Sequence, residues 1–160
     1  MKYLPIIFCI LLLSSCSTVK YENSVIINAP INRVFYILED YENYPNIIPE
    51  FHANVKIISE NRKGIGVQFV NNSAFGGYKI ESIYEVTEYR FNEYIKMKNK
   101  TQYGSTELLV ESINDNETLY TLKNFVQIPI FMKNKLYKAF DNELETIKRI
   151  SESESENNNK

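Results

Sequence analysis

Between Asn54 and Ile128 the chain holds six stretches of strand character with no helical stretch among them: about Asn54 to Glu60, Gly64 to Asn71, Tyr78 to Tyr89, Glu93 to Lys100, Ser105 to Ile113 and Glu117 to Gln127. Short polar or glycine-bearing segments separate them, including Asn61-Arg62-Lys63-Gly64, Tyr89-Arg90-Phe91-Asn92 and Asn114-Asp115-Asn116. Parallel neighbours need a crossover of a dozen or more residues, so connections this short restrict the chain to an antiparallel meander. Alternation is clearest where Tyr78, Ile80, Ser82, Tyr84 and Val86 share one face while Lys79, Glu81, Glu85 and Glu88 mostly take the other. One face of the sheet is therefore buried and the other wet. A sheet of this kind needs a second layer over its apolar face.

The two ends of the chain supply that layer. Pro129 opens a segment in which Met132, Leu136, Phe140, Leu144 and Ile147 recur at helical spacing, with Lys133, Lys135, Lys138, Glu143 and Lys148 elsewhere. The pattern predicts a helix of about five turns with one apolar stripe. Upstream, a strand at about Asn23 to Asn28 ends at Ala29-Pro30, where proline suits the first position of a helix. Ile31, Val34, Phe35 and Leu38 then follow at three- and four-residue spacing, the mark of an amphipathic helix. Pro45 and Pro49 limit the next segment to a short second helix. Residues 151–160 contain no apolar side chain and are expected to be disordered. The expected class is α+β: a curved antiparallel sheet of six to seven strands wrapped around a long C-terminal helix, with two short helices after the first strand.

The sequence from Val25 to Ile57 resembles the opening of the START-domain and polyketide cyclase-like (SRPBCC) superfamily. There a strand ending "i-x-A-P" leads into "V-F-x-l-x-D" and then "Y-x-x-F/W-x-P". The matching residues are Ile27-Asn28-Ala29-Pro30, then Val34 to Asp40, then Tyr44-Pro45-Asn46-Ile47-Ile48-Pro49. The resemblance extends over about residues 20–150. A branch with "Y-P-x-F-x-P" includes coenzyme Q-binding START-like proteins; here Ile47 stands where the aromatic would be. The resemblance implies the helix-grip fold and a cavity between sheet and long helix for a hydrophobic small molecule, whether lipid, quinone or polyketide-like. Physics agrees, because a strongly curved sheet around one helix leaves space that side chains need not fill. The candidate lining is Val67, Phe69, Tyr78, Ile80, Tyr84, Met97, Leu108, Val110, Leu122, Met132, Leu136 and Phe140, with Asn124 and Tyr84 as polar contacts for a headgroup. The alternative is that these side chains fill a solid core.

The amino terminus addresses the chain elsewhere. Lys2 precedes an apolar run from Leu4 to Leu13, a signal-peptide core too short for a bilayer span of ~20 residues. Leu13-Ser14-Ser15-Cys16 then resembles the lipobox of bacterial lipoproteins, which implies cleavage before Cys16 and a diacylglycerol thioether on it. The expected organisation is a signal peptide at 1–15, a lipidated Cys16 with linker at 16–22, a START-like domain at 23–150 and an acidic tail at 151–160. The expected location is the cell envelope, with the lipid anchor in a membrane. Ser17 is not the Asp that resembles an inner-membrane retention signal, so an outer-membrane address fits a source with two membranes. Cys9 leaves with the signal and Cys16 carries lipid, so no disulfide or thiolate metal site is expected.

Composition removes several activities. With 18 Lys and Arg against 20 Asp and Glu, net charge −2 and no dense basic cluster, nucleic acid is not an expected partner. His52 is the only histidine, which rules out a His-His metal pair, and no metal or cofactor is expected. Its place after Pro49-Glu50-Phe51 reads as a turn. No Gly-x-Ser-x-Gly elbow supports a hydrolytic serine. Glu93 shares strand parity with Ile95 and Met97, making it a candidate inward carboxylate, although a strand start favours exposure. The favoured function is a membrane-anchored, non-catalytic binder or carrier. The alternatives are a cyclase- or dehydratase-like enzyme in the same cavity, and a structural envelope lipoprotein with a filled core. Replacing Cys16 by Ser should shift the protein from the membrane fraction to uncleaved precursor or soluble material, as fractionation and intact mass would register; unchanged processing and partitioning would remove the anchor.

Overall fold

The computed structural model describes residues 16–49, 51–75 and 78–153, apart from the side chains of Cys16, Ala74, Phe75 and Tyr78. The expected signal segment and the last residues of the tail lie outside them. Seven strands form one sheet: β1 (Cys16–Ile27), β2 (Asn54–Ile57), β3 (Gln68–Phe75), β4 (Tyr78–Arg90), β5 (Tyr94–Asn99), β6 (Gly104–Asn114) and β7 (Glu117–Pro129). Their spatial order is β1-β7-β6-β5-β4-β3-β2, and every pairing is antiparallel. Between β1 and β2 lie α1 (Ile31–Glu39), a 3-10 turn (Tyr41–Asn43) and α2 (Tyr44–Ile47). A second 3-10 turn (Ile130–Met132) leads from β7 into the long α3 (Lys133–Ser153). This is the helix-grip arrangement.

Three boundaries differ from expectation, each for a local reason. Residues 16–22 are not a linker but the first half of β1, running from Cys16 opposite Pro129 to Ile27 opposite Thr118. Val19 and Tyr21 are buried while Thr18, Lys20 and Glu22 are exposed, so the segment alternates as a half-buried strand does. The tail begins later than residue 151, because α3 runs on to Ser153. Its last turn is held from outside: Arg33 Nη2 donates to the Ile150 carbonyl at 3.3 Å and the Asn28 amide to Glu152 Oε1 at 2.8 Å. Strand β3 begins at Gln68 and not Gly64, since Gly64 (φ 82°) and Gly66 (φ 83°) occupy the left-handed region, which a strand cannot use.

The core forms where α1 and α3 meet the concave face. Val34, Phe35 and Leu38 of α1 pack with Ile27, Ile95, Tyr120 and Leu122 of the sheet, all at most 2 % exposed. Fully burying each such aliphatic or aromatic side chain contributes roughly 1.5–3 kcal/mol. A bulge between Val86 and Glu88 breaks the parity of β4, so both Val86 and Tyr89 turn inward. Tyr89 then packs edge-on to Phe35 at 5.6 Å and donates to Glu39 Oε2 at 2.9 Å. Helix α3 is fixed to β1 by Tyr21 Oη donating to Asp141 Oδ1 (2.7 Å) and by Tyr137 Oη donating to the Lys20 carbonyl (3.1 Å). If residues 16–22 are strand, Val19→Asp should destabilise the domain by about 3–5 kcal/mol through an unpaired buried charge, whereas Thr18→Asp should leave it within about 0.5 kcal/mol. Denaturant unfolding of the two variants checks this, and equal behaviour would restore the linker.

Candidate ligand cavity

Where α3 crosses the concave face, packing leaves a cavity of about 160 Å³. An apolar cavity of ~150 Å³ is enough for a benzene ring. The helix contributes Leu136, Phe140 and Glu143, one above another at four- and three-residue spacing. The sheet contributes Phe69, Asn71, Tyr84, Met97, Leu108 and Asn124 among others, and Tyr44, Phe51 and His52 close the side beside α2. Tyr41, Phe69 and Tyr84 stack in series, with centroids 4.9 and 5.4 Å apart and interplanar angles of 14° in both pairs. This aromatic ladder stiffens one wall. The mouth lies at the sheet end bearing the β3–β4 and β5–β6 connections, where Ser73, Ile80, Gln102, Gly104 and Ile128 reach the cavity.

Of the expected lining, the structure places Phe69, Ile80, Tyr84, Met97, Leu108, Asn124, Leu136 and Phe140 on the wall. Val67, Val110, Leu122 and Met132 are instead packed in the core, at most 8 % exposed. Val110 sits opposite Tyr120 and Leu122 opposite Leu108, on the part of the sheet that α1 covers. The Tyr78 side chain lies outside the described residues. Asn124 lines the cavity with its Oδ1 accepting from Thr106 Oγ1 at 2.6 Å. Near the mouth Asn99 Oδ1 accepts from the Thr101 amide, Thr101 Oγ1 and the Gln102 amide, each at 2.9 Å, which closes the turn into β6. Gly104 at the start of β6 admits no larger residue, since an added Cβ would stand 2.7 Å from the Phe125 carbonyl oxygen.

Of the ionisable groups, Glu93 follows the expectation of its strand start, whereas Glu143 and His52 do not follow theirs. Glu93 is exposed and paired with Arg90 at 2.9 Å. The inward carboxyl is Glu143, which follows Leu136 by seven residues and Phe140 by three, and so belongs to the apolar stripe and not to the outer face. Burial raises its pKa from 4.5 to about 8. His52 is a cavity residue and not a surface turn, and burial lowers its pKa to about 4, leaving the ring neutral. Burial likewise pushes the hydroxyls of Tyr44 and Tyr84 up, so both stay protonated. Tyr44 Oη donates to the Leu38 carbonyl at 2.5 Å. No cluster of three or more His, Cys, Asp or Glu suited to a metal occurs among the described residues, and no helix among them is long and apolar enough to cross a membrane.

No family model and no curated protein matches the chain. Solved structures do. A START superfamily protein from Mycobacterium smegmatis superposes with a TM-score of 0.70 at 15% identity, covering 82% of this chain and 96% of that one. The fold is START-like. The Zhui aromatase/cyclase from a Streptomyces species gives 0.68 at 17% identity, covering 84% of this chain and 94% of its own. Norcoclaurine synthase from Thalictrum flavum, solved with dopamine and hydroxybenzaldehyde, gives 0.62 at 12% identity over 88% of this chain and 90% of that one. The domain thus shares the helix-grip architecture of these proteins.

The Glu143 carboxyl makes stability depend on pH with a definite sign. The unfolded chain loses this proton near 4.5 while the native state keeps it until about 8. Across that window the native state binds more protons, so its stability falls as pH rises. Relative to Glu143→Gln, the unaltered protein should be equally stable at pH 4, become progressively less stable between pH 5 and 8, and level off above. Thermal melts of both proteins over that range check it, and a constant difference would mean that Glu143 is solvated.

Proposed function

We propose that this protein is a membrane-anchored lipoprotein whose START-like domain binds a hydrophobic small molecule between sheet and α3, as a carrier and not a catalyst. The observation that supports it is the coincidence of the cavity mouth with the expected anchor. Cys16 is the first residue of β1 and stands opposite Pro129, and the next pair, Ser17 and Ile128, already touches the mouth through Ile128. A lipid on Cys16 would hold this end of the sheet against its bilayer. The surface there suits that contact. Phe131 is 72 % exposed, Ile130 59 % and Tyr103 65 %, and all three lie at the same end as the mouth. Exposed apolar side chains grouped beside an opening mark a membrane or ligand-entry surface.

A cyclase- or dehydratase-like reaction in the same cavity rests on one feature, the protonated Glu143 as an acid facing a bound carbonyl. The carrier reading is favoured because, among the described residues, the one other titrating side chain on that wall besides the tyrosines, His52, is neutral and non-basic at physiological pH. Native mass spectrometry of protein purified in mild detergent should show one apolar molecule bound per chain, and Leu136→Trp, which fills the cavity, should remove it. Ile130→Ser with Phe131→Ser should slow uptake of a fluorescent fatty probe from vesicles without changing the amount bound at equilibrium. Absence of any retained molecule and of probe uptake in the unaltered protein would leave the filled-core structural lipoprotein as the correct reading.

A further inference from the structure

The cavity wall is unbalanced in its polar groups. Among the described residues it carries one carboxyl, Glu143, and no Lys or Arg. Among the described residues neither a hydrogen bond nor a salt bridge reaches that carboxyl, although the surface carboxylates Glu22, Glu42, Glu85, Glu93 and Glu107 all have basic partners. The groups facing it cannot supply a cation. Tyr21 of β1, Tyr44 of α2, Tyr84 of β4 and Tyr120 of β7 surround it with hydroxyls held protonated, and β3, β5 and β6 present Phe69, Asn71, Met97 and Leu108. Two further polar atoms on the same wall, Asn71 Oδ1 and His52 Nδ1, are buried and have only each other's side chains to turn to, so neither offers the carboxyl a cation. An unpaired carboxyl on the apolar stripe of a core helix is costly, and Gln or Leu at position 143 would be cheaper. The arrangement is complementary to a missing donor.

Resting on the proposed binding role of this cavity, we infer that Glu143 is the headgroup site for an amphipathic amine, whose ammonium pairs with the carboxylate while a body about the size of one aromatic ring lies between α3 and the sheet. Size follows from the volume of about 160 Å³. Depth follows from the helix: Glu143 lies seven residues past Leu136, ~10 Å along α3 at 1.5 Å per residue, so the amine enters first and the apolar body trails toward the mouth. The proton balance is explicit. The amine arrives protonated, the carboxyl of empty Glu143 gives its proton to solvent, and an ammonium–carboxylate pair remains; one proton leaves per amine bound. A neutral donor such as an alcohol binds without that release, and an anionic acid can be held only by the proton already on Glu143, so its affinity falls as pH rises.

Calorimetry with three probes of one shape, 2-phenylethylamine, 2-phenylethanol and phenylacetate, separates these cases. The amine should bind at least tenfold tighter than the alcohol at pH 8, and phenylacetate weakest. Its affinity should rise about tenfold per pH unit from 6 to 7.5, as loss of one proton requires, while the alcohol shows no slope. Titrations in two buffers of different ionisation enthalpy should count close to one proton released at pH 6.5. Glu143→Gln should abolish the amine preference and the slope while keeping affinity for the alcohol, which also reports that the variant is folded. Equal, pH-independent binding of amine and alcohol would overturn the amine site and leave the cavity reading intact. Failure of all three probes to bind, with no lipid retained by the purified protein, would overturn both.

Discussion

The pairing of β1 with β7 is the constraint on which the rest depends. It joins residues from the beginning of the described chain to the strand that precedes the last helix, in register from Cys16–Pro129 to Ile27–Thr118. Without it the meander β2 to β7 could close over itself, and α3 would have no fixed direction. With it, β1 supplies the contacts that seat the helix, through Tyr21 to Asp141 and Lys20 to Tyr137, and the loop after β1 holds its last turn through Asn28 and Glu152. Thr118 Oγ1 donating to the Ala29 carbonyl at 2.8 Å ties the strand exit to β7 as well. The cavity is what remains when a helix is pinned at both ends over a sheet too curved to touch it in the middle.

That geometry explains why polar groups are treated differently along the wall. Near the mouth, where the strands end and backbone must turn, Asn99 and Thr106 are engaged by neighbours that close the connection. Deeper, the backbone groups of the strands are used up in the ladder, and the Glu143 carboxyl meets tyrosine hydroxyls and apolar side chains but no basic group among the described residues. Aromatic stacking from Tyr41 through Phe69 to Tyr84 keeps that wall from collapsing onto it. A rigid wall and an unpaired carboxyl belong together, since a soft wall would close and a satisfied one would offer a ligand nothing beyond oily surface.

Much of this was legible in residue order. The meander, the proline-capped α1 and the stripe of α3 follow from period and turn chemistry alone, and the helix-grip arrangement follows from their sequence. What failed was parity and context. Val19 and Tyr21 alternate with Thr18, Lys20 and Glu22 as a strand should, but the nearby cysteine invited a linker reading. Glu143 sat three residues from Phe140 and four from Ile147, a position the helical period assigns to the core; its charge directed attention to the outer face. His52 lies outside any periodic element, and only the approach of Phe51, Asn71 and Tyr44 buries it. Val110 and Leu122 were indistinguishable from true wall residues in sequence, because the same face of one sheet is covered by α1 in one part and left open in another.

Strand β1 beginning at Cys16 has a mechanical consequence for the proposed anchor. A flexible tether is an entropic spring that lets a domain tumble and sample many tilts. A chain cleaved before Cys16 and hydrogen-bonded from there on would have no such spring, and its soft joints would be the few bonds of the cysteine side chain and its lipid. The domain would then behave as a flag on a short pole. Encounters between opening and bilayer would be timed by rotation about that pivot instead of by diffusion over a search volume, so the orientation of the sheet, and not the distance to the membrane, would govern how often a molecule can pass.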